Sequence, residues 1–241
     1  MKILAIESSS LVASVAIVDE ENVIAEYSVN HKKTHSQTLM PMLDEIVRMT
    51  ETDLESIDHI AISVGPGSFT GLRIGVATAK GLGLALDKKL VAVPTLGAMA
   101  YNLCDYPGLV VSVMDARRNQ VYTGIYRFED QKPICVMDQI PMDRLELIQK
   151  VRELSGSDVY APIFLGDGVE VIKNTLNEVD DFKARFALPH LSRQKASAVG
   201  LLAIELAKKG ELVDASELKP VYLRLSQAER ERLEKGQSIE V

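Results

Sequence analysis

A chain of 241 residues, 46% hydrophobic and 25% charged, buries enough surface to fold with no disulfide or metal staple. Its net charge of −7 at pH 7 argues against nucleic-acid binding by this chain alone, because phosphate neutralisation dominates that affinity. Cys104 and Cys135 show no framework spacing, and no apolar run approaches the roughly 20 residues of a membrane helix. The run after Met1 meets Glu7 too soon for a signal peptide, so the expectation is a soluble, cytoplasmic protein.

Residues 2–7, 12–18 and 23–29 read as three strands separated by polar turns. A helix is predicted over 36–50, a strand over 59–64, a helix over 70–86 and a strand over 90–93. Pro94 stops that strand, and a short helix runs on to about Leu103. Cys104-Asp105-Tyr106-Pro107-Gly108 reads as a boundary. The second half then replays the first. The strand 109–116 ends in an acid as 2–7 does, 119–126 follows as 12–18 does, and PIFLGDG at 162–168 resembles AISVGPG at 61–67. The acids Glu7 and Asp115 stand 108 residues apart, and the turns at Gly65 and Gly166 stand 101 apart. Such similar offsets imply an internal duplication. Residues 225–241 read as a polar helix and tail.

The most informative stretch is GPGSFTGLRIGVATAKGLG at 65–83. A strand stops at Gly65-Pro66-Gly67, and Ser68 or Thr70 can cap the helix that follows. Gly71, Gly75, Ala79 and Gly83 recur every four residues as a ridge without side chains. Each glycine costs about 0.5–1 kcal/mol relative to alanine, which a close approach of sheet, ligand or another helix must offset. The turn is neither a dinucleotide fingerprint nor a Walker loop nor a nucleophile elbow, although amides at the helix start can hold an anion. Glu7 and Asp115 end equivalent strands, where paired acids of a two-lobed ATPase would hold a metal and water.

His31 and His35 have zinc-helix spacing, but two lysines fill the gap, so the segment reads as a solvated entry to a helix. In the helix over 36–50, Leu39, Met40, Met42, Leu43, Ile46, Val47 and Met49 sweep about half the circumference, wider than one core stripe. That width predicts two apolar contacts, one to the core and one to a partner.

Four features together resemble the TsaB (YeaZ) family: the glycine segment 65–83, the opening strand with ESSS, THSQTLMPML at 34–43, and Pro220-Val221-Tyr222-Leu223-Arg224. The resemblance implies an α/β fold of the actin/sugar-kinase/Hsp70 (ASKHA) type, with two duplicated lobes, each around a mixed central sheet. The lobes would be 1–103 and 104–214, followed by a polar segment 215–241.

The resemblance also implies a non-catalytic subunit of the threonylcarbamoyl-transferase complex. It would work with TsaD and TsaE to form threonylcarbamoyladenosine in tRNA, touching tRNA only through the complex. No metal or cofactor is implied, because Val93–Ala100 carries none of the donors that a metal-bound relative uses there. The first two helices would form both the homodimer and the TsaD contact. The residues expected there are His35, Leu39, Met42, Leu43, Ile46, Met49, Gly71, Arg73, Gly75, Val76 and Ala79. A vestigial nucleotide cleft would involve Glu7, Ser8, Gly65, Gly67, Ser68 and Asp115. Glu7 stands where relatives often have Asp. Two other readings stay open: an ATPase or small-molecule kinase using Glu7, Ser8, Gly67 and Asp115, or an unrelated homodimeric binding module.

Overall fold

The computed structural model describes residues 1–32, 34–156, 158–179 and 181–224. The polar helix and tail expected at 225–241 lie outside the described residues.

Strands β1 (Ile3–Glu7), β2 (Val12–Val18) and β3 (Val23–Asn30) form an antiparallel meander. Every residue of β1 and β2 is buried, and all but Glu7 and Ser14 are apolar, whereas the more exposed β3 has mixed composition. Helix α1 (His35–Thr50) leads to β4 (His59–Gly65), and α2 (Phe69–Ala85) leads to β5 (Leu90–Pro94). β4 runs parallel to β1, and β5 parallel to β4, giving the order β3-β2-β1-β4-β5.

A short helix, α3 (Thr95–Ala100), leads to the second sheet. That sheet holds β6 (Val110–Arg117), β7 (Gln120–Glu129) and β8 (Lys132–Asp143), then α4 (Arg144–Ser155), β9 (Ile163–Leu165), α5 (Val169–Leu176) and β10 (Arg185–Phe186). Its order is β8-β7-β6-β9-β10, antiparallel through the meander and parallel from β6 to β10. Order and direction repeat those of the first sheet. The molecule has the duplicated α/β architecture of two lobes, each with a mixed five-stranded sheet.

The third helices are exchanged between lobes. Leu96, Met99 and Ala100 of α3 pack with Val110, Met114 and Leu165 of the second sheet. The last helix, α6 (Ala196–Lys208), places Ala196, Val199, Ala203 and Ile204 against Ile3, Ala5, Ala16 and Val18 of the first sheet. α6 is therefore part of the first lobe's core, although a boundary drawn at 104–214 assigns it to the second. The chain after α6 also stays on the first lobe: Leu90 pairs with Val213, and Ala215 and Leu218 join the core that α1 and α2 cover.

Candidate functional site

Two places concentrate unusual chemistry: the cleft between the lobes, and the outer faces of α1 and α2.

The cleft has a volume of about 640 Å³. Ser9, Ser10, His35, Gly67, Ser68, Phe69 and Gly71 line it from the first lobe, and Asp115, Tyr122 and Asp167 from the second. The glycine turn builds one wall, and Gly67, Gly71 and Gly75 are explained by the β1–β2 loop. A Cβ on Gly67 would overlap the Ser9 carbonyl oxygen. A Cβ on Gly71 would overlap the Ser8 carbonyl oxygen, and one on Gly75 the Ser8 hydroxyl. The ridge expected to admit sheet, ligand or another helix thus faces inward, with Gly71 and Gly75 on the chain's own β1–β2 loop and Gly83 against Leu90 and Ala215. Hydrogen bonds close the same contact. The Ser68 amide donates to the Ser9 carbonyl at 2.7 Å, and the Ser8 hydroxyl donates to the Gly71 carbonyl at 3.0 Å. Ser68 is the N-cap, its hydroxyl accepting from the Gly71 amide at 3.3 Å. At least two amides at the start of α2 that could hold a phosphate are used within the protein.

The acids are not a matched pair. Glu7 and Asp115 occupy similar places in their hairpins, Glu7 opposite Ser14 and Asp115 opposite Val121. β6 stops pairing with β9 at Ser112, however, so Asp115 extends three residues past β9, whereas Glu7 ends a strand paired with β4 through Ile6. Glu7 is accordingly buried and does not line the cleft, which corrects the expectation that both acids face it. Its carboxylate turns back to accept the Ser9 amide at 2.5 Å. Burial pushes the Glu7 carboxyl up, against the pull of the hydrogen bond from the Ser9 amide. Asp115 accepts the Arg117 amide at 2.7 Å and ion-pairs with its guanidinium at 3.3 Å.

Asp115 is joined in the cleft wall by a second acid, Asp167, between Gly166 and Gly168. Sequence reasoning passed over it, although the Gly-Asp-Gly turn at the repeat position was its signal. Burial pushes its carboxyl up, and Oδ1 has no hydrogen-bond partner. Among the described residues, no group of three His, Cys, Asp or Glu side chains is placed to hold a metal ion.

His35 overturns its reading as part of a solvated segment. It is buried, with Nε2 at 2.8 Å from the Ser10 carbonyl oxygen. A carbonyl only accepts, so Nε2 carries the proton. The ring fills space beside Gly71, 3.2 Å from where a Cβ would stand.

The residues expected at a partner contact divide sharply. Leu39, Met42, Leu43, Ile46, Val76 and Ala79 are in the first lobe's own core, and Gly71 and Gly75 are buried. Only Met49 and Arg73 of that set are exposed. The two helices still present an unusual outer face. The exposed residues of α2 are Thr70, Arg73, Ala77, Gly81, Leu84 and Ala85, with Arg73 the single charge. Leu84 is 68% exposed, and on α1 Met49 is 61% and Met40 52% exposed. Gly81 has open space where a Cβ would be.

The family model described as TsaD, tRNA N6-adenosine threonylcarbamoyltransferase, matches residues 22–232. The tRNA threonylcarbamoyladenosine biosynthesis protein TsaB of Bacillus subtilis is 32% identical over 234 residues, covering 97% of this chain and 99% of that one. This chain belongs to the TsaB (YeaZ) family. The TsaB of Haemophilus influenzae is 29% identical, covering 93% of this chain and 94% of its own. Among solved structures, YeaZ from Pseudomonas aeruginosa superimposes with a TM-score of 0.75 at 26% identity, covering 92% of this chain and 99% of that one.

Proposed function

We propose that this protein is a non-catalytic subunit in tRNA threonylcarbamoyladenosine formation, presenting the outer faces of α1 and α2 to a TsaD-type transferase. TsaE completes the complex, tRNA is met only through it, and the work is done in the cytoplasm. Alone, the same face pairs with a second copy of the chain, so self-association and TsaD binding compete. The observation that carries the reading is the inward use of the glycine turn. The Ser68 amide and the close approaches of Gly67, Gly71 and Gly75 serve the β1–β2 loop, and the Gly71 amide serves the Ser68 cap. The nearly uncharged outer face of α2 supports the docking surface. The boundary of the first lobe is redrawn in this reading to include α6.

The test is reconstitution of tRNA modification from TsaD, TsaE and the remaining pathway components, with and without this chain. Activity is expected only when it is present. Full activity in its absence removes the role, and turnover by the isolated chain removes the non-catalytic part of it.

One observation favours the rival ATPase reading: the partnerless Asp167 oxygen in a cleft of nucleotide dimensions. Calorimetry with Mg-ATP separates the two readings, as argued below.

A further inference from the structure

The segment Pro220–Arg224, part of what marks the family in the sequence, is not used by the function proposed above. It bridges the two lobes. Its root is on the first lobe, where the Leu90–Val213 pairing and the buried Ala215 and Leu218 fix the chain. The Val221 amide then donates to the Val64 carbonyl at 2.7 Å. The Tyr222 ring stacks on Phe69 with centroids 4.6 Å apart, and Arg73 donates to its hydroxyl at 3.0 Å. Gly65 makes room for this segment. Its φ is +130°, and a Cβ there would overlap the Val221 carbonyl oxygen. Two residues beyond Tyr222 the chain reaches the other lobe: Arg224 Nη1 donates to the Ala116 carbonyl at 2.6 Å.

The landing point is a strained one. Arg117, Arg118 and Asn119, the next three residues, all have positive φ, at 66°, 56° and 60°. Two arginines in that region cost energy that the surroundings must over-determine. Three hydrogen bonds do so: Arg117 N–H to Asp115, Arg144 N–H to the Asn119 carbonyl at 3.1 Å, and Arg224 to Ala116. A second pin lies nearby, where Gln139 on β8 donates to the Gly65 carbonyl at 3.0 Å.

We propose that residues 213–224 are a latch. Rooted on the first lobe, they hold the β6–β7 hairpin of the second through Arg224, fixing the angle between the lobes and the width of the cleft. The latch does not depend on which partner α2 meets. It predicts that losing the Arg224 guanidinium frees the hairpin and widens the range of lobe angles, while the first sheet stays intact.

The experiment compares the full chain with Arg224→Ala, and a chain ending at Leu223 with one ending at Arg224. Hydrogen exchange in peptides spanning 114–122 is expected to quicken at least tenfold in both shortened or substituted forms. Peptides from 3–7 and 12–18 are expected to keep wild-type exchange, which separates release of the latch from unfolding. Spin labels at Asp44 and Glu170, with Cys104 and Cys135 replaced by Ser, report the lobe separation directly. A broadened distance distribution in Arg224→Ala supports the latch, and Arg224→Lys, which keeps a donor, should narrow it again. Unchanged hairpin exchange in the chain ending at Leu223, or a wild-type distance distribution in Arg224→Ala, overturns it.

Discussion

Gly75 and Gly81 sit six residues apart on α2 and should answer the same substitution in opposite ways. A Cβ on Gly75 overlaps the Ser8 hydroxyl and comes within 2.9 Å of Ile62 Cδ1. Gly75→Ala gains helix propensity but forces the loop off the helix, so a net loss of about 1–3 kcal/mol is expected in urea unfolding. At Gly81 nothing lies within 4 Å, so Gly81→Ala should raise protomer stability by about 0.5–1 kcal/mol. Glu7 makes a prediction in pH. Burial raises its carboxyl above the ordinary value of 4.5, so the folded state holds that proton more tightly than the unfolded state does. The resulting stability is complete below pH 4.5 and is lost as pH rises through the raised folded value. Glu7→Gln, neutral throughout and still able to accept from Ser9, should melt higher than wild type at pH 7. That advantage should vanish toward pH 4; an equal gap at both pH values would show that ionisation at Glu7 carries no stability.

At the scale of elements, α2 is divided between two tasks. Its inner side, Gly71, Gly75 and Ala79, seats the helix against its own lobe. Its outer side, around Ala77, Gly81 and Leu84, carries the docking proposal. Leu84→Asp tests that division. The side chain is exposed, so protomer stability should move by no more than about 0.5 kcal/mol. Self-association and TsaD binding should both weaken, as sedimentation and pull-down would record. Unchanged association would move the contact away from this face. The sequence told α2 and α1 from their surroundings because both carry long apolar stripes, but not which side of each stripe was already spent on the core. Other elements were hidden for identifiable reasons. β8 is an edge strand with Pro133 and Pro141, tolerated because an edge needs ladder hydrogen bonds on one side only. α6, ASAVGLLAIELAK, is apolar on nearly every side, without a face for periodicity to reveal.

For the whole molecule, the two lobes enclose a cleft, yet the glycine turn at its wall is packed against its own β1–β2 loop. Mg-ATP titrated into the isolated chain is therefore expected to give no micromolar binding heat. A saturating isotherm, lost in Asp167→Asn, would favour the ATPase reading and make the cleft a working site. Among the described residues no helix is long and apolar enough to cross a membrane. The exchange of α3 and α6 between lobes, together with the latch, makes the two sheets one mechanical unit instead of two tethered domains.

The sequence by itself determined the duplicated α/β plan, the strands of the first lobe and the family. Fully buried strands demand apolar runs, and a helix pressed onto a loop demands glycine, and both demands are written locally. Tertiary structure decided the rest: that the glycine ridge faces inward, that Glu7 is sunk while Asp167 reaches the cleft, that α6 returns to the first sheet, and that Arg224 meets Ala116. Each of these depends on which distant segments share a surface, and no window of residues along the chain carries that information.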